Sequence, residues 1–134
     1  IFFGRRNINT FINSIIGDYI FSNNLSLNFK IRHYYSAIEY RDYRSLNENG
    51  TLSLRNDYTA NHNVNYNAFN IDLSLNWIFA PGSELTLMWK NEADNFSNVL
   101  NRNLMKNLSN TLISPQSNSL SVKLLYYFDY NNLL

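Results

Sequence analysis

Few side chains in this sequence are able to do chemistry, and their spacing decides against most of it. His33, Ser36 and Asp42 fall close together and are the residue types of a hydrolase triad. In an extended segment, however, side chains alternate between faces, so His33 projects with Tyr35 to one side while Ser36 points to the other. They make no dyad on one strand, and His33 reads instead as an interfacial aromatic residue. His62 sits between Asn61 and Asn63, and two histidines alone make a poor metal site. The absence of cysteine excludes disulfide scaffolds, zinc ribbons and thiol catalysis. No catalytic residue, metal or cofactor is therefore expected, and the chain does not read as an enzyme.

The charged residues follow a different logic. Lys30, Arg32, Asp72, Lys90, Lys123 and Asp129 all fall on the polar positions of alternating segments. Because both signs occur, they read first as structural polar contacts and second as the lining of a water-filled path. Glu39, Arg41, Asp42, Arg44 and Glu48 form a separate cluster, expected to be a solvated rim. With a net charge of +1 there is no clustered basic groove, and no nucleic-acid partner is expected. Asparagine is abundant, at 25 of 134 residues. It supplies Asn-x-Ser/Thr matches at Asn24, Asn49, Asn95 and Asn107, which read as chance products of that abundance.

The elements that position these residues are strands. The chain is poor in Ala, Glu and Lys, and Asn interrupts nearly every candidate helical window. Period-two alternation is strong. Within 25–43, Leu25, Leu27, Phe29 and Ile31 share a face that continues through His33, Tyr35 and Ala37. Within 68–80 the apolar face is Phe69, Ile71, Leu73, Leu75, Trp77 and Phe79; within 85–91 it is Leu85, Leu87 and Trp89. A last strand at 119–130 places Leu120, Val122, Leu124, Tyr126 and Phe128 opposite Ser119, Ser121 and Lys123. A first strand at 9–21 has two apolar faces, and the one bearing Phe11, Ile15, Tyr19 and Phe21 is favoured because Ser14 and Asp18 lie opposite.

The connections alternate in length. Ser22-Asn23-Asn24 makes a tight turn in which Asn tolerates positive φ, and Pro81-Gly82 makes a reverse turn. Residues 44–66 and 92–118 are long, polar loops, whereas unstructured loops beyond about 12–15 residues are uncommon in compact domains. Short turns at one end and long loops at the other, with strands reaching the roughly 9–11 residues a tilted membrane strand needs, predict an all-β, antiparallel, up-and-down transmembrane barrel. No run approaches the ~18 apolar residues of a membrane helix. Aromatic residues make up 16% of the chain, and Phe21, Trp77 and Phe79 sit just before the short turns while Phe128 and Tyr130 close the last strand, as interfacial girdles do. The apolar positions above are thus expected to face lipid, and Lys30, Arg32, Asp72, Lys90 and Lys123 the lumen. Five strands cannot close a barrel, and an open edge in lipid is prohibitive. The chain therefore reads as the C-terminal part of a larger barrel, with long loops outside, the C-terminus in the periplasm and an odd number of strands, at least three, upstream.

Several blocks carry a resemblance: Arg32-His33-Tyr34-Tyr35-Ser36, Asn67 to Asp72, Trp77 to Leu85, Pro115 to Lys123, and Leu125 to Tyr130. Over roughly residues 5–130 the chain resembles the C-terminal barrel of a Bacteroidota outer-membrane family of unassigned function. That resemblance implies an N-terminal domain similar to family-9 carbohydrate-binding modules, absent from this chain, and hence a possible glycan link through regions outside it. It carries no catalytic motif. The last strand also approximates the C-terminal signal read by barrel-assembly machinery. Ser121, Tyr126 and Phe128 stand at its spacing, with Lys123 where glycine is usual, and such a strand adds to an open sheet edge through main-chain bonds. The expected function is a transport or surface-binding barrel in contact with outer-membrane lipid. The alternatives are a client or subunit of a larger outer-membrane assembly or secretion complex, and a soluble β-sandwich.

Overall fold

A computed structural model describes residues 2–128 of the chain. Its elements in order are β1 (Phe2–Ser22), β2 (Leu25–Leu46), β3 (Leu52–Leu54), β4 (Val64–Ala80), β5 (Ser83–Ser97), α1 (Leu104–Ile113) and β6 (Gln116–Leu125). The strands form one antiparallel sheet in the order β1-β2-β4-β5-β6, with the short β3 paired to β2. Consecutive long strands are thus neighbours, as in a meander. The sheet is not closed: β1 and β6 are its two edges among the described residues.

Alternation is the reason these segments are strands, and the observed strands outrun the expected ones. The expected 9–21 lengthens to Phe2–Ser22, 25–43 to Leu25–Leu46, 68–80 to Val64–Ala80 and 85–91 to Ser83–Ser97. The last strand moves the other way. It starts earlier, at Gln116, and ends at Leu125, so Tyr126 and Phe128 follow the strand instead of belonging to it. Asp129 and Tyr130, expected in the same strand, lie outside the described residues. The two long loops shrink accordingly. Within 44–66 the chain forms β3, whose Leu52, Ser53 and Leu54 pair with Leu46, Ser45 and Arg44. Within 92–118 it forms α1.

Helix α1 corrects the expectation of a helix-free chain. The side chain of Asn103 caps it by accepting from the Lys106 N–H at 3.1 Å, satisfying one of the donors a helix start leaves open. Asn107 and Thr111, one turn apart, are its buried residues. Asparagine, read from composition as a helix breaker, acts in α1 as cap and as buried partner.

The two short turns differ in mechanism. Gly82 takes φ +73° after Pro81, as the expected reverse turn requires. The Asn23-Asn24 turn needs no such residue, because no described non-glycine residue has positive φ. Instead the Asn24 N–H donates to Ser22 Oγ at 3.3 Å, and the Asn24 carbonyl accepts from the Ile78 N–H at 2.8 Å.

Two compact units divide the chain. The first gathers residues up to Asn13, His33–Phe69 and Asp94–Pro115; the second gathers Ser14–Arg32, Asn70–Ala93 and the chain from Gln116. The first contains a small buried centre of His33, Tyr35, Ser36, Ala37, Asn65, Asn67, Asn107 and Thr111. In the second, the strand segments are 14–22, 25–32, 70–80, 83–93 and 116–125, or nine, eight, eleven, eleven and ten residues.

Candidate functional surface

In the second unit one sheet face is apolar, while the other mixes polar residues with Ile16, Ile20, Ile78, Met88 and Leu125. Register fixes this at β5 and β6, where Leu85 opposes Leu124, Leu87 opposes Val122 and Trp89 opposes Leu120. On the other face Thr86 opposes Lys123, Met88 opposes Ser121 and Lys90 opposes Ser119. Leu120, Val122 and Leu124 are 62–71% exposed, an apolar row with nothing covering it. The same alternation runs along β2 through Leu25, Leu27, Phe29 and Ile31, and along β4 through Ile71, Leu73, Leu75, Trp77 and Phe79, with Phe69 just before them. In β1 the facing is settled by contacts. Phe29 lies over Gly17, where an added Cβ would come within 2.6 Å of its ring, whereas Asp18 accepts from the amide of Asn28. Tyr19 and Phe21, sharing parity with Gly17, therefore join the apolar face.

Each end of this apolar row has its own chemistry. Towards the short turns it ends in rings: Trp77 meets Phe79 at 5.7 Å, Phe79 meets Tyr126 at 6.1 Å and Tyr126 meets Phe128 at 4.6 Å. Tyr19 and Phe21 make a separate edge pair at 4.8 Å. Tyr126 and Phe128, although beyond the strand, are thus held in this ring series, and the Tyr127 N–H donates to Ser83 Oγ at 3.0 Å. At the other end on β5 and β6, the pair after Trp89 and Leu120 is Asn91 opposite Asn118. The Trp89 indole N–H donates to Asn118 Oδ1 at 3.2 Å, and Asn91 Nδ2 reaches Asn118 and Gln116 at 3.0 Å each.

The opposite face is a polar ladder. Asn28 donates to Asp18, Asn76 donates to Asn28 Oδ1 at 2.8 Å, and the Thr86 hydroxyl stands 3.2 Å from Asn76 Oδ1 and 3.0 Å from Glu84 Oε1. Lys90 Nζ and Asp72 Oδ1 are 3.9 Å apart. Lys30, Arg32 and Lys123 share this face by alternation.

The first unit is built from different material. Asn65 donates to Asn107 Oδ1 at 3.1 Å, Asn107 donates to the Asn101 carbonyl at 2.6 Å, and the Tyr35 hydroxyl donates to the same carbonyl at 2.9 Å. His33, expected as an interfacial aromatic, is buried. Among the described residues its Nε2 and both amide atoms of Asn67 have no hydrogen-bond partner within bonding geometry. Burial lowers the His33 pKa, and the nearby Asn67 amide partly offsets this. Three residues of the expected solvated rim form ion pairs: Asp42 bridges Arg5 at 2.7 Å and Arg44 at 3.0 Å, and Glu39 pairs with Arg102 at 3.0 Å. A ring cluster of Tyr40, Tyr43, Tyr58 and His62 accompanies them, with the Tyr58 hydroxyl 2.7 Å from His62 Nε2. The Tyr43 hydroxyl donates to the Ala60 carbonyl at 3.0 Å. Sequence reading missed this cluster, because Tyr58 and His62 lie in the irregular chain after β3 and no periodicity ties them to Tyr40 and Tyr43. No group of three or more potential metal ligands occurs among the described residues. No helix there is long and apolar enough to cross a membrane, a statement that does not touch strands.

The fold and this surface define an all-β protein whose open antiparallel sheet has one apolar and one mixed polar face in its second unit. The whole chain, residues 1–134, matches the family described as a domain of unknown function, DUF5916. The chain belongs to that family, for which no function is assigned. No curated protein and no solved structure matches it.

Proposed function

We propose that this chain is a membrane-embedded section of an outer-membrane β-barrel that works in transport or surface binding. The observation that carries the reading is the banded face of the second unit. Its strand segments run eight to eleven residues, beside the roughly 9–11 of a tilted membrane strand. Eleven residues at ~3.3 Å each, tilted by about 45°, cover about 25 Å along the membrane normal, the height of a barrel's apolar band. The exposed aliphatic row of Leu120, Val122 and Leu124 gains from lipid what it forfeits in water. Rings at one end and the indole donor of Trp89 at the other suit the two interfaces of such a band.

In this reading the apolar face meets lipid and the Lys30, Asp72, Lys90 face meets the lumen, where charge costs little. The open edges β1 and β6 are completed by further strands, since unpaired backbone groups are not tolerated in hydrocarbon. Barrel-assembly machinery is the partner for insertion, and the chain takes no catalytic role. The family resemblance adds, at the same level of proposal, a Bacteroidota source and a glycan link through a carbohydrate-binding-module-like domain. The test is extraction of the natural protein from membranes. It is expected to need detergent and to migrate differently on gels before and after heating. A monomer stable in detergent-free buffer, with no heat-dependent shift, rejects the proposal in favour of a soluble sandwich.

A further inference from the structure

The two fully buried residues of helix α1 are polar and its most exposed ones are apolar, the reverse of a surface helix on a soluble domain. Asn107 is 1% and Thr111 0% exposed, whereas Met105 is 73% and Ile113 79% exposed. Eight residues apart, Met105 and Ile113 stand about 80° from each other around the helix. The buried pair is satisfied inside the fold: Asn107 bonds Asn65 and the Asn101 carbonyl, and the Thr111 hydroxyl donates to the Asn107 carbonyl at 2.8 Å. Val99, in the loop before the helix, adds a third exposed apolar side chain. The charges here have one sign, since residues 95–115 hold Arg102 and Lys106 and no acidic residue. Lys106 forms no ion pair among the described residues. Arg102 pairs with Glu39 while its own side chain stays 75% exposed, a solvated pair that gives way readily. Three strands tether this segment: the Tyr35 hydroxyl donates to the Asn101 carbonyl at 2.9 Å, the Asn65 amide to Asn107 Oδ1 at 3.1 Å and the Asn95 amide to Ser114 Oγ at 3.1 Å. Each tether has the parity of its own strand's apolar positions: Tyr35 that of Leu25 to Ile31 on β2, Asn65 that of Ile71 to Phe79 on β4, and Asn95 that of Leu85 to Trp89 on β5.

From this arrangement we infer that α1 is an in-plane anchor that docks on an anionic lipid surface. Met105 and Ile113 enter the boundary between headgroups and acyl chains, and Arg102 and Lys106 reach the headgroup phosphates. Apolar burial and cation attraction act together in helices of this kind, and a lysine stem lies along apolar surface while its ammonium stays in the polar layer. A protein partner would also cover the apolar residues. Lipid is favoured because the segment carries cations without acids, and because all three tethers use the strand parity that the barrel reading gives to lipid. The inference rests on that reading for its setting. It adds that the chain between β5 and β6, expected as a solvated extracellular loop, holds the membrane surface.

Depth-dependent fluorescence quenching tests this in the natural protein, reconstituted into phosphatidylcholine vesicles with or without phosphatidylglycerol. Any cysteine outside this chain is replaced first, and Met105→Cys, Ile113→Cys, Asn49→Cys and Val122→Cys are labelled with bimane one at a time. The quenchers are aqueous acrylamide and lipids bearing a nitroxide at the headgroup or deep in the acyl chain. Labels at Met105 and Ile113 are expected to be quenched by the headgroup nitroxide and shielded from acrylamide. The label at Asn49, in the exposed β2 to β3 turn, should meet acrylamide, and the label at Val122 the deep nitroxide. With phosphatidylglycerol present, Lys106→Gln is expected to lower the ratio of lipid-buried to water-exposed Met105 label about fivefold, the weight of one cation at an anionic surface. In phosphatidylcholine alone it should change little, whereas a lysine needed only for folding would act alike in both, a result that would overturn the headgroup contact. Acrylamide access at Met105 and Ile113 with deep quenching at Val122 removes the anchor and leaves the barrel. Shielding of both helix labels from acrylamide and from either nitroxide overturns the lipid surface in favour of a protein partner. Headgroup quenching at the helix with acrylamide access at Val122 keeps the anchor and removes the barrel.

Discussion

His33 enters the folded chain at a cost that depends on pH. Desolvation lowers its pKa below the ordinary 6.5, with Asn67 opposing the shift in part. Between the folded and unfolded values the unfolded chain binds more protons, so folding is favoured fully above pH 6.5 and progressively less as pH falls below it. Amide exchange along His33–Ala37 should therefore accelerate as pH drops from 7 to 5 beyond the intrinsic rate change, and His33→Gln should abolish that excess. Asn107 is the counterpart among neutral groups. It is buried, donates to the Asn101 carbonyl and accepts from Asn65. Asn107→Leu strips the Asn65 amide of its acceptor and the Asn101 carbonyl of one of its donors. A loss of about 1–3 kcal/mol in denaturant unfolding is expected. The sequence exposed His33 as a residue worth weighing, but its burial was not legible there. That burial comes with Asn65, Asn67 and α1, and an asparagine's partner has no periodic signature.

Strands were the legible elements, because a two-faced sheet writes its period into the chain. Leu85, Leu87 and Trp89 against Thr86, Met88 and Lys90 predicted the faces that the β5 to β6 register displays. Boundaries were less legible, since the polar extensions such as Val64–Asn67 and Asp94–Ser97 keep the strand without keeping the hydrophobic alternation. Helix α1 was hidden by its composition: Asn107 and Asn110 lower helix propensity, and the compensating contact of Asn107 with Asn65 is a tertiary fact. The β1 facing, ambiguous from two apolar faces, turns on Gly17. Its missing side chain admits the Phe29 ring; Gly17→Val should displace that ring and destabilise the β1 to β2 pair by about 1 kcal/mol, seen as a lower temperature for the heat-dependent gel shift. Tyr126 and Phe128 test the end of the chain's ring series. Replacing both with Ala should reduce the membrane-inserted fraction severalfold, and unchanged insertion would leave them without a role in assembly.

For the molecule as a whole, Tyr35, Ala37 and Ala93 are the buried hydrophobic residues among those described, while the aliphatic row of β6 is exposed. A sheet of this length with so small an apolar centre needs its apolar face covered, and in the proposed barrel lipid covers it. This chain has no cysteine, so single cysteines can be placed in it and spin-labelled one at a time in the reconstituted natural protein, once any cysteine elsewhere in that protein is replaced. Labels at Leu73, Leu75, Leu87 and Val122 should collide strongly with membrane-dissolved oxygen and weakly with a water-soluble nickel chelate, while labels at Ser74, Thr86 and Ser121 should show the reverse. A period-two alternation in that ratio along β4 and β6 is the predicted result; equal access of the nickel chelate to both sets would contradict the membrane-facing account.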